Sequence, residues 1–149
     1  MKKKVTVLVD GCFDPIHDGH IEHFKSARNL GSYLVVNTNP DSVIIIKRPK
    51  IGPFLIAEDR KKLISSFPFV DKAISLSSVD AIKEIKPDIY VQGKDWKNRL
   101  PKNEISICKK LKIKIHYSNI RTNSSLKILE RFLNQYSKIN YSEEKNIYE

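Results

Sequence analysis

A chain of 149 residues has room for one domain around one core. It contains no apolar run long enough to span a bilayer. Its two cysteines, Cys12 and Cys108, exclude a disulfide framework and read as free thiols of a reducing compartment. The net charge is +10, from 27 Lys and Arg against 17 Asp and Glu, but the lysines are scattered and no basic stripe interleaved with aromatics appears, which argues against nucleic acid as the main ligand.

In chain order, Val5-Thr6-Val7-Leu8-Val9 predicts a strand buried on both faces. The run ends in Asp10, so Met1-Lys2-Lys3-Lys4 and the five residues behind it are too short for a secretion signal, and a soluble cytoplasmic protein is expected. Gly11 and Pro15 make a tight turn. Ile21, Phe24, Ala27 and Leu30 then mark a helix over about 19–30, with Gly31 as the stop. Residues 33–37 form a second buried strand. Residues 37–54, with Pro40, Pro49 and Pro53, read as a long functional loop carrying Lys47-Arg48-Pro49-Lys50. A helix over 57–67 has Leu63, Ile64 and Phe67 as its apolar stripe and Glu58-Asp59 in its first turn.

Phe69-Val70-Asp71-Lys72-Ala73-Ile74 leads into a third strand. Ser78 is placed to cap a third helix carrying Val79, Ile82 and Ile85, ended by Pro87. Residues 88–91 form a fourth strand and 92–99 a polar loop. Asn103 is expected to cap a fourth helix through Ile107, Cys108 and Leu111. A fifth strand spans 113–117. Ser124 is placed to cap a last helix with Leu126, Leu129, Phe132 and Leu133. The reading is one domain over 1–136 and a polar tail over 137–149. Alternating strands and helices predict an α/β fold with a doubly wound parallel sheet of about five strands, whose ligands bind beyond the carboxyl ends of the strands.

The chemistry concentrates at His17-Asp18-Gly19-His20, where a strand, a turn and a helix start meet. A helix N-terminus offers free N–H groups and a positive partial charge that favour phosphate, and two imidazoles add directional donors. Two other uses stand beside this one. His20 caps the helix while His17 packs in the turn, or both ligate a metal with Asp14 and His23. Otherwise His23 reads as an ordinary helix residue.

Gly11-Cys12-Phe13-Asp14 followed by His17-x-Gly19-His20 resembles the signature of the cytidylyltransferase-like nucleotidyltransferases. Small members include glycerol-3-phosphate cytidylyltransferase and the heptose-1-phosphate adenylyltransferases. Gly93-Lys94-Asp95-Trp96 resembles a later element of that family, and Arg121-Thr122-Asn123-Ser124-Ser125-Leu126-Lys127-Ile128 its closing element. The resemblance covers about residues 4–133 and implies a Rossmann-like sheet of strand order 3-2-1-4-5. It also implies His17, His20, Lys47 and Arg121 as the catalytic set. Cys12, Phe13, Gly19, Gly93, Asp95, Arg121, Ser124 and Ser125 are implied at the nucleotide, and Lys47 and Trp96 at the acceptor, with Arg48 or Lys50 as substitutes for Lys47. Asp95 would hold a sugar hydroxyl or orient Mg²⁺, the implied cofactor. Arg60 matches a Glu-x-Arg element or forms a helix-surface ion pair.

Three departures stand out. Cys12 replaces a threonine of the cytidylyl enzyme, the Arg121-to-Ser124 spacing is two residues short, and Leu126 replaces a second threonine. The resemblance implies transfer of CMP from CTP to a phosphorylated polyol or sugar for surface glycan synthesis, with release of pyrophosphate and part of the basic charge facing the phosphates. The alternative is AMP transfer from ATP to a heptose or other sugar 1-phosphate. A reading of another class is a non-catalytic module that binds nucleotide or nucleic acid. The small members of the family are commonly dimers, which leaves a homodimer open for this chain, and no membrane association is expected.

Overall fold

The structure is a computed structural model and describes residues 2–120 and 124–138. Five parallel strands, β1 (Thr6–Gly11), β2 (Tyr33–Thr38), β3 (Lys72–Ile74), β4 (Ile89–Gly93) and β5 (Lys114–Ser118), form one sheet in the order β3-β2-β1-β4-β5. Helices α1 (Asp18–Arg28), α2 (Asp41–Lys47), α3 (Ala57–Ser65), α4 (Ser78–Ile85), α5 (Lys102–Lys110) and α6 (Ser125–Tyr136) flank it. The expected fold class and strand order are both found.

Strand side chains alternate faces, and here both faces are covered. Val7, Val9, Leu34 and Val36 pack with Phe24 of α1 and Ile64 of α3 on one side. Leu8, Val35 and Tyr90 pack with Ala81 and Ile82 of α4 and Cys108 of α5 on the other. That is why β1 reads as a continuous apolar run. Gly31 is required for packing: a Cβ there would lie 2.6 Å from the Val5 carbonyl oxygen.

Four local expectations are corrected. The stretch 37–54 is not all loop, because α2 occupies Asp41–Lys47. Its Val43, Ile44, Ile45 and Ile46 are β-branched and poor helix formers, and Pro40 stands at its N-cap without a side-chain cap. Burial of Ile44, rather than propensity, holds this turn of helix. The cap of α4 is Ser77, which accepts from the Asp80 N–H; Ser78 is the first helical residue. Helix α5 starts behind Pro101, and Asn103 lies inside it. Residues Lys94–Trp96 form one 3₁₀ turn within the predicted 92–99 loop. Ser124 does cap α6, accepting from the Lys127 N–H. Among the described residues no helix is long and apolar enough to cross a membrane. The tail expected over 137–149 lies outside the described residues from 139 onward.

Candidate functional site

The site forms where β1 and β4 end. Beyond β1 the chain turns sharply: Phe13 adopts φ 51° and the Asp14–Pro15 peptide is cis. The Phe13 ring folds back over Gly11, where a Cβ would come within 2.8 Å of the Phe13 Cζ. Only glycine fits beneath it.

Two ion pairs, each with one fully buried side chain, fasten this turn. Asp14, 2% exposed, accepts from Arg48 Nη2 at 2.5 Å and from the backbone N–H groups of Phe54 and Leu55 at 2.7 Å each. Arg60, fully buried, donates to the carbonyl oxygens of Cys12, Asn39 and Leu55, each at 2.8 Å, and to Asp41 Oδ1 at 2.7 Å. It also donates to Thr38 Oγ1. Arg60 is therefore no helix-surface ion pair. A guanidinium supplies five donors in a fixed fork, and here that fork ties α3, the end of β2 and the post-β1 turn together.

The two histidines cap α1 by a reciprocal box. His17 Nδ1 accepts from the Gly19 N–H at 3.1 Å, and His20 Nδ1 accepts from the His17 N–H at 3.3 Å. An Nδ1 that accepts a hydrogen bond leaves the proton of a neutral imidazole on Nε2. Both rings consequently present Nε2–H donors. They stack at 3.6 Å between centroids with 21° between planes, and the Phe13 ring meets His20 edge-on at 5.1 Å. The Nε2 of His17 is buried without a hydrogen-bond partner. Burial lowers the His17 pKa, opposed by Asp18. For His20, burial and then the His17 and His23 rings lower it to about 3. Both rings are neutral donors near neutral pH. The metal reading finds little support in this geometry, since each Nδ1 holds a backbone N–H and both Asp14 oxygens are engaged.

A cavity of about 600 Å³ opens over this turn. A smaller one of about 300 Å³ adjoins it over Asp10. The two share Lys47, Cys12 and Trp96 in their walls. Lys47 Nζ lies 3.6 Å from Cys12 Sγ and 5.6 Å from the Trp96 ring centroid.

The floor of the smaller cavity is polar. Asp10 accepts from Asn37 Nδ2 at 2.6 Å, Ser78 Oγ at 2.7 Å, Asn39 Nδ2 at 3.1 Å, Tyr90 Oη at 3.2 Å and Gln92 Nε2 at 3.3 Å. Tyr90 Oη also contacts Glu104 Oε2 at 2.9 Å and accepts from Gln92 Nε2 at 2.7 Å. One phenolic proton thus serves two carboxylate oxygens. Burial, then Asp10, raises the Glu104 pKa. Burial, then Asp10 and Glu104, raises that of Tyr90. None of these six partners was anticipated from sequence as part of a site. The available signal was polar residues closing otherwise buried strands: Asp10 after Val9, Asn37 after Val36, Gln92 after Val91.

Residues 8–142 match the family profile described as Cytidylyltransferase-like. The chain belongs to the cytidylyltransferase-like family. It is a nucleotidyltransferase-family domain, as the resemblance implied. It is 35% identical over 100 residues to the bifunctional protein HldE of Campylobacter concisus, and 33% over 102 residues to that of Helicobacter hepaticus. These alignments take in 65% and 66% of the chain and only 21% of each relative, so the chain spans about a fifth of the length of those proteins. Among solved structures, the lipopolysaccharide core biosynthesis protein from Thermoplasma volcanium superposes with a TM-score of 0.65 at 32% identity, covering 82% of this chain and all of that one. A bifunctional NMN adenylyltransferase/ADP ribose pyrophosphatase from Francisella tularensis, at 15% identity and TM-score 0.60, shares the fold.

Within this cytidylyltransferase-like domain the anticipated residues divide. Cys12, Phe13, His20, Lys47, Gly93, Asp95, Trp96 and Ser125 all line the larger cavity. Ser125 also donates to the Pro15 carbonyl at 3.0 Å, which seats the start of α6 beside the turn. His17 lies behind His20 rather than in the wall. Gly19 is buried with its N–H engaged by His17, and the Ser124 hydroxyl is engaged in capping α6. Neither therefore stands in the wall. Arg121 lies outside the described residues. Of the three candidate cations, Lys47 faces both cavities, Arg48 is pinned to Asp14, and Lys50 is exposed and outside the walls. His23, read from sequence as an ordinary helix position, is 7% exposed and forms part of the larger wall.

Proposed function

We propose that this chain transfers an adenylyl group from ATP to the phosphate of a small sugar or polyol phosphate, with release of pyrophosphate. The observation that carries the reading is the His17–His20 box, which orients a neutral His20 Nε2–H donor in the wall of a cavity of nucleotide size, with the His17 ring stacked behind it. The bifunctional HldE proteins and the lipopolysaccharide core protein among the relatives weigh toward the adenylyl branch of the family and away from CMP transfer.

The reaction asks little covalent chemistry of the protein. The acceptor phosphate, with a second pKa of about 6, is already largely dianionic at neutral pH and needs no general base. Its oxygen attacks the α-phosphorus in line, the α–β bridging P–O bond breaks, and pyrophosphate leaves with the electron pair. Catalysis then consists of bringing two anions together and stabilising charge on the phosphate oxygens. The acceptor body occupies the smaller cavity and the nucleotide the larger. Lys47, at the junction, neutralises both anions as they meet. His20 donates to the phosphate oxygens, the His17 ring holds it in place from behind, and the N-terminus of α6 with Ser125 faces the triphosphate. Arg121 is assigned to the same charge.

Mg²⁺ is bound in such sites chiefly by substrate phosphates and one or two carboxylates. Asp95 fits that role, because its exposed carboxylate lines the cavity and makes no hydrogen bond or ion pair among the described residues. The ion, when bound, would neutralise charge on the leaving pyrophosphate.

The test is pyrophosphate release from each of ATP, CTP, GTP and UTP across a panel of sugar and polyol phosphates, with the product identified by mass spectrometry. Turnover with ATP and a sugar phosphate supports the reading. A clear preference for CTP returns the cytidylyl alternative. Nucleotide binding without turnover across the whole panel favours a non-catalytic module.

A further inference from the structure

The larger cavity changes character along its wall. Lys47 stands where it meets the smaller one, and Arg48, Lys94 and Asp95 add charge to its wall. Elsewhere it is formed by His23 of α1, Ile120 beyond β5 and Leu126 in the first turn of α6. These three line the larger cavity and not the smaller. Leu126 is among the exposed apolar side chains, and Ile120 is half-buried.

His23 stands out in this group. It is more than nine-tenths buried, and neither ring nitrogen has a hydrogen-bond partner among the described residues. Neither nitrogen is sealed from the cavity in the way His17 Nε2 is sealed within the protein. Its small open fraction belongs to the cavity wall. An imidazole nine-tenths buried, unpartnered and open only toward the cavity is completed by a ligand lodged there. Burial and the nearby His116 keep the ring neutral, its pKa lowered to about 4, which makes it a poor partner for phosphate charge and a good one for a neutral edge. It sits three residues beyond His20, on the same helical face, one turn deeper than the phosphate donors.

We infer that His23 hydrogen-bonds the edge of the nucleobase, with Ile120 and Leu126 supplying apolar surface to its faces. Apolar faces plus one directed polar group are what a flat heteroaromatic ring requires of a pocket. This rests on the proposed nucleotidyl transfer and adds a specificity-determining residue to it.

The experiment is calorimetric binding of ATP and of ribose 5-triphosphate, which lacks the base, to the full chain and to its His23→Leu variant. The variant is expected to bind ATP about tenfold more weakly and ribose 5-triphosphate as the unmodified chain does. Equal weakening of both ligands, or no weakening of ATP, overturns the base contact. A second measurement needs no variant: the imidazole ¹⁵N signals of His23 should shift on adding ATP and stay in place on adding ribose 5-triphosphate. The same shift with both ligands overturns the inference. Failure of the unmodified chain to bind either triphosphate would instead remove the proposed function, and the base contact with it.

Discussion

Arg60 Nη1 donates to the Cys12 carbonyl at 2.8 Å, joining α3 to the post-β1 turn across 48 residues of sequence. The same guanidinium serves four further acceptors. Removing a buried, paired charge leaves its partners unsatisfied and costs about 3–5 kcal/mol. Arg60→Ala should therefore lower the urea midpoint steeply, and Arg60→Lys should lower it nearly as far, because an ammonium cannot reproduce the fork. A lysine variant as stable as the parent would mean that charge alone matters here.

The His17–His20 box combines two tasks that substitution can separate. Asparagine is among the best N-cap residues, so His17→Asn should keep α1 capped and change stability by less than about 1 kcal/mol. It cannot reproduce the ring that stacks on His20, whose loss should misplace that donor and slow pyrophosphate release by about 10²-fold. Thermal melts and turnover measured together read the two effects. Unchanged turnover in a folded His17→Asn protein would remove this ring from the chemistry.

The depressed histidines set an acid limit on stability. His20 and His23 bind protons in the unfolded chain near the ordinary 6.5 but in the folded chain only at about 3 and about 4. Between those values the unfolded state holds more protons, so stability falls as pH falls. The contribution is fully present above about pH 6.5 and is lost progressively toward pH 3–4. Urea midpoints taken from pH 8 to pH 4 should decline, and His20→Asn with His23→Leu should flatten that decline. Over the same range the acid limb of turnover should follow the acceptor phosphate near pH 6. It should not follow an imidazole titrating at 6.5, and NMR titration of the free protein would expose one directly.

Sequence carried most of the fold because both faces of the sheet are buried, so strands appear as unbroken apolar runs such as Val7-Leu8-Val9, and each helix shows its own period. It carried the turn because Gly11, Pro15 and the two histidines are close neighbours in the chain. It did not carry the rest of the site, whose contacts are long-range. Arg60 looks like any helix arginine until α3 packs beneath Cys12. His23 and His20 are three apart on one helix, yet only β5 and α6 make a wall of the first. Helix α2 was hidden because its β-branched run argues locally against the helix that tertiary burial of Ile44 imposes.

The Asp10 cluster yields the last prediction, from a proton count. Tyr90 has one phenolic proton and lies within hydrogen-bond distance of Asp10 Oδ2 and Glu104 Oε2, while Gln92 donates to its oxygen. Both carboxyl contacts are satisfied only if one acid keeps a proton, and Glu104, whose pKa is raised by burial and then by Asp10, is the acid expected to keep it. Asp10 accepts from five donors. Glu104→Gln then replaces a neutral acid by a neutral amide of the same shape, and should change stability by less than about 1 kcal/mol. Asp10→Ala strips the acceptor from several buried donors at once and should cost about 3 kcal/mol or more. Urea denaturation of the two variants at pH 7 makes the comparison. A Glu104→Gln protein as unstable as Asp10→Ala would show that Glu104 is ionised and that the shared proton lies elsewhere.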